Sequence, residues 1–415
     1  MTDDLNYYLV TLKPIDSYFF GGKETFGEGA DDSLKNYLVN SEKFPQQTTV
    51  LGMIRKELLK ITGDYKSNIM DYQKENIYIH EIIGDFKLEL DKLEEFKEYK
   101  EFKTDIGYIK EISPVVLYKK DNEDKNKLEI YTQIPFNYQP TCDKTKLKPL
   151  KFKNIENENK DIITKNNTKG YYVQEDSNYV YFNPKTHNNE IVFKVLEFNQ
   201  KDNSYTVETK NINEFENFKK YSDIFIENIN IGINISKNNK DNEDGYYKQK
   251  SYKLRNKDKL DEEWGFCFIL SLKNNKKLKK LDENYINIVN MGAENSSFNL
   301  EIQKIEKDKL FDNLKFEENT ITLMSDTYLA NDDYKEIREN SLLIHTELKN
   351  FATINLQDFK HKTKLDNQYK FLKKGSVIHF ENDNKLKIEK ILNDNKYDIL
   401  KKIGYNQYVA MGDKE

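Results

Sequence analysis

Only two cysteines, Cys142 and Cys267, occur in 415 residues. That scarcity excludes a disulfide-held scaffold and a cysteine zinc cluster, and it fits a reducing compartment. Arginine is almost as rare. Arg55, Arg255 and Arg338 are the only three, so 63 of the 66 basic residues are lysine. Acidic residues number 71 and the net charge is -5. A protein that held nucleic acid by whole-chain charge would be basic, so only local patches could serve such a role. Long apolar runs are missing too. A stretch such as Phe266–Leu270 is far too short to span a membrane. Met1-Thr2-Asp3-Asp4 is acidic where a secretory leader is basic, so the expected location is the cytoplasm, with no membrane partner.

Aromatic residues are abundant, at 13% of the chain with 37% hydrophobic residues overall, which marks a folded rather than a disordered protein. The length suggests two or three domains. The surplus of Lys, Asn, Ile and Tyr resembles the codon bias of an AT-rich genome, which lowers the information in any single lysine run or tyrosine pair.

Tyr7–Leu12 reads as a strand ended by Pro14, followed by a glycine-rich turn over Gly21–Gly29. A helix follows Pro45. Thr48 or Thr49 can cap it, Val50, Met53, Ile54, Leu58 and Ile61 share a face, and Gly63 stops it. Arg55, Lys56 and Lys60 lie mostly off that face. Across residues 64–228, strands are expected near Tyr78–His80 and Ser113–Tyr118, a helix at Leu88–Phe102, charged loops, and a strand pair at Tyr171–Phe182 and Glu190–Phe198; about 84–225 reads as an insertion with some structure of its own. Ile229–Ile235 alternates strictly and returns through Tyr246–Leu254, which makes a hairpin with a long tip. Trp264–Leu272 is a buried strand, Lys276–Val289 a helix, 291–297 a loop of small residues, and Phe298–Ile305 another strand. Beyond residue 308, Ile321–Met324, Leu342–His345, Ser376–Phe380 and Tyr408–Met411 are strand candidates. The order up to residue 307 is the ferredoxin-like (RRM-like) pattern of an α+β protein with a large insertion, and a second, smaller α+β domain follows. The first spans 1–307 with the insertion at about 84–225, and the second spans 308–415.

Catalytic signatures are weak. Gly21-Gly22-Lys23 fails as a nucleotide-binding P-loop, because Ser17 and Glu24 stand where a glycine and a Ser/Thr are required. His80, His187, His345, His361 and His379 form no close pair. His379 and His80 suit packing, and His187 and His361 suit solvent. The pairs Asp31-Asp32 and Asp332-Asp333 read as solvated loops. No metal or cofactor is expected. The glycine-bearing segments at 21–29 and 291–297 suit close approach of backbone N–H groups to phosphate. Lys23, Arg55, Lys56 and Lys60 could share a basic surface, against the reading of an ordinary solvated helix face.

The run Leu12–Phe26, with Tyr18-Phe19-Phe20-Gly21-Gly22-Lys23, resembles the entry motif of the third-subunit family of the Cmr module, the RAMP-superfamily proteins of type III-B CRISPR effector complexes. So do Phe44-Pro45 with Thr48–Arg55, Ile231–Ile235 with Gly245-Tyr246-Tyr247, Trp264-Gly265-Phe266, Met291-Gly292-Ala293-Glu294, Gly375-Ser376-Val377 and Ile403–Asn406. These landmarks run over nearly the whole chain in order. The resemblance implies two ferredoxin-like (RRM-like) units and a non-catalytic, RNA-binding subunit of an antiviral ribonucleoprotein. It would bind the 5′ repeat-derived tag of the crRNA and bridge the large cyclase-type subunit to the RAMP backbone subunits. The residues expected at the RNA are Gly21, Gly22, Lys23, Phe26, Thr49, Arg55, Lys56, Tyr246, Tyr247, Lys248, Gly292, Ala293, Asn295 and Ser296. Tyr246, Tyr247 and Tyr252 could stack on bases or pack in the sheet. One rival reading is a RAMP-family endoribonuclease acting on crRNA precursor or target, using a histidine or Asp31. The other is a protein-only scaffold that ignores RNA.

Overall fold

A computed structural model of the chain describes residues 5–27, 36–67, 79–86, 88, 90, 105–121, 126–140, 147–154, 170–173, 191–201, 204–207, 218–234, 245–256, 262–292, 294–306, 311, 314–351 and 369–411. The class is α+β, as expected, with far more strand than helix and with mostly antiparallel pairing. The first strand, β1, spans Leu5–Pro14. Its Tyr8, Val10 and Leu12 point to one face and Leu9 and Thr11 to the other, and all five are buried. Both faces are covered, which is why the stretch reads as a near-continuous apolar run rather than an alternating one.

β1 lies between two antiparallel neighbours. Val10 stands opposite Phe268 in Glu262–Lys273 and opposite Ile302 in Ser296–Ile305. Val116–Asp121 lies beyond the first neighbour, and Tyr285–Met291 beyond the second, at the sheet edge. Taken in chain order, Leu5–Pro14, Val116–Asp121, Glu262–Lys273 and Ser296–Ile305 stand in space as second, third, first, fourth. Lys127–Gln133 and Ile191–Asn199 extend the same sheet. Strands within the span 84–225 are therefore built into the main sheet. Gly170–Val173 does not pair with Ile191–Asn199 as expected; its partner is Lys151–Asn154. Alternation marks a strand but does not name its partner.

A helix, α1, spans Gln47–Thr62 and buries Val50, Met53, Ile54, Leu58 and Ile61, the face that the spacing predicts. Gly63 closes it at φ 82°, and its N–H donates to the Lys60 carbonyl at 3.2 Å. At the other end Gln46, not a threonine, is the cap residue, and its side chain makes no capping bond.

Three local expectations are corrected. The turn at 21–29 is a strand, β2, over Phe20–Gly27, paired antiparallel with β3, Asn36–Glu42. At Gly22 a Cβ would fall 2.3 Å from the Asn40 carbonyl oxygen, so the glycine admits the neighbouring backbone instead of turning the chain. The helix expected at 276–289 is a short 3-10 helix, Lys276–Leu281, followed by the strand Tyr285–Met291. The β-branched run Ile286, Ile288, Val289 favours extension. His80–Ile83 is a helical turn where a strand was expected. The helix expected at Leu88–Phe102 lies outside the described residues, apart from 88 and 90.

The hairpin Phe225–Asn234 with Gly245–Leu254 is present, and its second strand pairs in parallel with β3, so a four-stranded sheet runs hairpin, β3, β2. Towards the C-terminus, Thr320–Leu323, Ser341–His345, Val377–Phe380 and Tyr408–Met411 form a sheet with the same spatial order, second, third, first, fourth. The helix Asn331–Asn340 joins the first two, and Lys385–Leu392 with Asp398–Lys402 joins the last two. One continuous core holds Tyr8 and Val10 of β1, Ile54 of α1, and Ile388, Leu400 and Tyr405 of the C-terminal unit. A second core on the opposite face of the main sheet holds Leu9, Ile130, Phe193, Cys267 and Phe316.

Candidate functional site

Three stretches distant in sequence meet around one cleft of about 330 Å³. The connection from β1 to β2 supplies Ile15–Phe19, the hairpin supplies Asn230, Gln249 and Ser251, and the turn before the strand Ser296–Ile305 supplies Glu294–Ser297. Backbone bonds fasten the three together. The Ile15 N–H donates to the Ser297 carbonyl at 3.0 Å, and Tyr18 and Tyr252 exchange N–H···O bonds of 2.7 and 3.1 Å. The Phe19 N–H donates to Ser296 Oγ at 3.1 Å.

Local sequence explains each wall. In the hairpin, Asn228 and Asn230 alternate with Ile229 and Ile231, and the register puts Ser251 and Gln249 opposite the two asparagines. Over residues 228–231 one side of the ribbon is thus uncharged and polar, and the other carries isoleucines with Lys248 and Lys250. In the turn, Gly292 sits at φ 86° and Asn295 at φ 52°. A Cβ at Gly292 would fall 2.3 Å from the Phe19 carbonyl oxygen, so glycine is needed there for both conformation and space. Beneath the cleft, Tyr18 and Phe20 pack with Phe266 and Phe298. Ring centres are 4.9–6.2 Å apart, and Phe20 and Phe298 are nearly parallel. Each such pair adds about 0.5–1.5 kcal/mol beyond its buried area, which makes a rigid floor.

The lining holds the hydroxyls of Ser17, Ser251, Ser296 and Ser297, the amides of Asn230, Gln249 and Asn295, and the carboxylates of Asp16 and Glu294. No lysine or arginine lines it among the described residues. The Ser17 N–H holds the exposed Asp16 carboxyl below its ordinary value, assisted by Lys253 Nζ at 3.3 Å. Gln249 Nε2 donates to Glu294 Oε1 at 2.6 Å. Such a set can donate to and accept from base edges and ribose hydroxyls, and it offers no cation to a phosphate.

Asn295 and Ser296 of the expected residues line the cleft, and Gly292 packs against its wall. Ala293 lies outside the described residues. Gly21 and Gly22 lie just beyond Phe19 on β2. The backbones of Lys23 and Phe26 are on the same strand, and those of Tyr246 and Tyr247 pair with Ile233 and Gly232. The side chains of these four lie outside the described part. Lys248 is exposed, on the opposite side of the ribbon from Gln249. The α1 residues stand apart. Thr49 is half-buried in the first turn, and Lys56 is exposed 5.9 Å from the centre of the Tyr65 ring. Arg55 turns inward, and its Nη1 donates to the Phe86 carbonyl at 3.3 Å. Its Nε and Nη2 are buried without a partner among the described residues. Burial pushes its guanidinium down to about 10, against the pull of Asp105 and Asp85. No described contact brings Arg55 or Lys56 to the cleft.

Tyr252 is a packing residue. It is buried, edge-on to Phe225 at 6.1 Å, with Lys43 and Lys250 nitrogens 5.6 Å from its ring centre. His379 is buried as expected, and burial pushes it down to about 3. His80 is exposed where packing was expected. Asp333 is not simply solvated: it accepts from the Tyr397 hydroxyl and pairs with Lys396. His187, His361, Asp31 and Asp32 lie outside the described residues. Sequence reasoning missed Asp16, Asn230, Gln249 and Ser251. The alternation of asparagine with isoleucine over 228–231 was the signal available.

The family model for CRISPR-associated protein (Cas_Cmr3) matches residues 10–412. No curated protein matches the chain. Two similar solved structures are chains of type III-B Cmr-beta assemblies. One assembly is bound to cognate target RNA and AMPPnP, with 14% identity and a TM-score of 0.44. The other is bound to cognate target RNA, with 12% identity and a TM-score of 0.46. Both matches cover 97% of this chain and 96% of the other.

Proposed function

Because the chain belongs to the CRISPR-associated Cas_Cmr3 family, we propose that it is a non-catalytic, RNA-binding subunit of a type III-B effector complex in antiviral defence. Its cleft takes the 5′ repeat-derived tag of the crRNA. The observation that carries this reading is the convergence of Ile15–Phe19, the hairpin and Glu294–Ser297 on a polar, cation-free lining. Single-stranded RNA is read through base edges and 2′-hydroxyls, and that lining supplies the matching donors and acceptors. The glycines of β2 continue from the same wall, and Lys23, next in sequence, has the charge that suits the RNA backbone.

The subunit would also bridge the large cyclase-type subunit and the RAMP backbone subunits. Ile229 and Ile231 are exposed on the same side of one hairpin strand, a surface suited to a protein neighbour. The twice-repeated strand order, second, third, first, fourth, supports reading the chain as two ferredoxin-like units. Both candidate carboxylates of the cleft are already engaged, Asp16 with Ser17 and Lys253 and Glu294 with Gln249, which fits binding better than acid–base work.

The test is binding of labelled RNA bearing the 5′ tag to the full chain, against a scrambled tag, for wild type and Asn230→Ala with Gln249→Ala. Loss of two base-edge bonds should weaken tag binding at least about tenfold, with no cleavage. Equal affinity for tag and scramble sinks the proposal. Specific cleavage lost in Asp16→Ala would return the endoribonuclease reading.

A further inference from the structure

The 3-10 helix Lys276–Leu281 has the sequence Lys-Lys-Leu-Lys-Lys-Leu. Three residues per turn make positions i and i+3 eclipse, so its six side chains fall into three ridges. Leu278 and Leu281 form one ridge and are buried in the main core. Lys276 with Lys279, and Lys277 with Lys280, form the other two, and all four are exposed. Within each ridge the two lysines start about 6 Å apart, from three residues at about 2 Å of rise. None of the four pairs with a carboxylate among the described residues. The nearest acid in sequence, Asp282, is taken by Lys304 at 3.0 Å.

This arrangement carries a cost that packing does not explain. Four like charges are held on two turns of a weak helix type, where they repel one another. The two leucines would anchor the segment equally well with neutral residues between them. In a chain of net charge -5, this is a local concentration of unneutralised positive charge fixed to the core.

We propose that this double lysine ridge is a second nucleic-acid contact, a sequence-independent grip on the phosphodiester backbone of single-stranded RNA. It is separate from the cleft. The strand Tyr285–Met291 leads from the helix end to the turn that lines the cleft, a run of about 20 Å at about 3.3 Å per residue. The two surfaces divide recognition: the cleft offers hydrogen-bonding groups without cations, and the ridge offers cations without base-reading groups. A protein partner suits the ridge less well. Its only apolar residues are turned into the core, and lysine is depleted in protein interfaces, whereas a compact ammonium is an ordinary phosphate partner.

The experiment uses the full chain and fluorescent oligouridine, which lacks the tag sequence, with affinity measured across a potassium chloride titration. Changing Lys276, Lys277, Lys279 and Lys280 together to Gln should weaken binding about tenfold or more and reduce the slope of log K against log salt by about 2–3, since each lost single-strand phosphate contact removes about 0.7. The matching four-fold Lys→Arg variant keeps the charge and should keep both slope and affinity, which separates charge from folding. Unchanged affinity and slope in the Gln variant would overturn the proposal. So would equally strong competition by polyglutamate, which would point to an acidic protein partner. Because the Gln variant should keep the preference for tag over scrambled RNA, whereas Asn230→Ala with Gln249→Ala should lose it, failure of the ridge and failure of the cleft give different results.

Discussion

The amide nitrogen of Phe19 donates to the hydroxyl of Ser296 at 3.1 Å, joining positions 277 residues apart. This bond sets the distance between two walls of the cleft. Ser296→Ala would leave the Phe19 N–H without its acceptor, at a cost of about 1–3 kcal/mol. The expected outcome is a lower melting temperature together with weaker tag-RNA binding. A variant that melts lower yet binds normally would show that the bond serves the fold alone.

Gly292 closes the same wall from behind. Alanine there would meet the Phe19 carbonyl oxygen at 2.3 Å while holding φ near 86°. Both problems push the turn away from Phe19, and the loss should exceed about 1 kcal/mol. Thermal melting of Gly292→Ala, compared with Ala at the exposed and unobstructed Gly52, checks it. Equal losses at the two sites would contradict the close-approach argument.

Lys349 bridges the N-terminal strands and the C-terminal unit. Its Nζ lies 3.0 Å from Asp326 Oδ2 and 3.5 Å from Glu42 Oε2, with about four-fifths of the Lys349 and Asp326 side chains buried. Burial works to raise the Asp326 carboxyl, but Lys349 and the Lys374 N–H hold it below its ordinary value. Lys349→Met would strand that carboxylate and cost about 3–5 kcal/mol. Adding Asp326→Asn should restore much of the loss, as measured by chemical denaturation in a double-mutant cycle. Additive losses would refute the pairing.

Glu317 gives the fold a pH dependence of definite sign. Burial raises its carboxyl from 4.5 to about 7, although Asn137 Nδ2 donates to it at 2.8 Å. The folded chain therefore holds this proton more tightly than the unfolded chain. The contribution is full below about pH 4.5 and is lost as pH rises to about 7. Above that, wild type should be less stable than Glu317→Gln by about 1–3 kcal/mol. Melting curves from pH 4 to pH 8 should converge at the acid end and separate at the alkaline end. Parallel curves would rule the effect out.

The sequence made some of this legible and hid the rest for identifiable reasons. Strands that alternate or run apolar, such as 229–235, 264–272 and the four in the C-terminal unit, were readable because burial imposes a local period. Gly22 misled because a glycine that turns a chain and a glycine that admits a neighbouring carbonyl look alike in one dimension. Residues 285–291 misled because lysines and leucines before them suggested a helix that ends after two turns. The cleft was half legible: Gly292, Asn295 and Ser296 were anticipated, but Asp16, Asn230 and Gln249 reach it only through pairings between distant strands. Arg55 lay close in sequence to the expected basic surface, yet its apolar neighbours carry it inward against Phe86.

Among the described residues β1 pairs with Glu262–Lys273 and Ser296–Ile305, so this strand cannot complete its pairing until the ribosome has delivered residue 305. At about 5–20 residues per second that is a wait of roughly 15–60 s. Through that interval at least one edge of β1 lies open to any other chain. Synthesis of this subunit therefore calls for a holding chaperone or for slow growth at low temperature. A truncation ending before residue 296 should accumulate as aggregate rather than as a smaller folded unit.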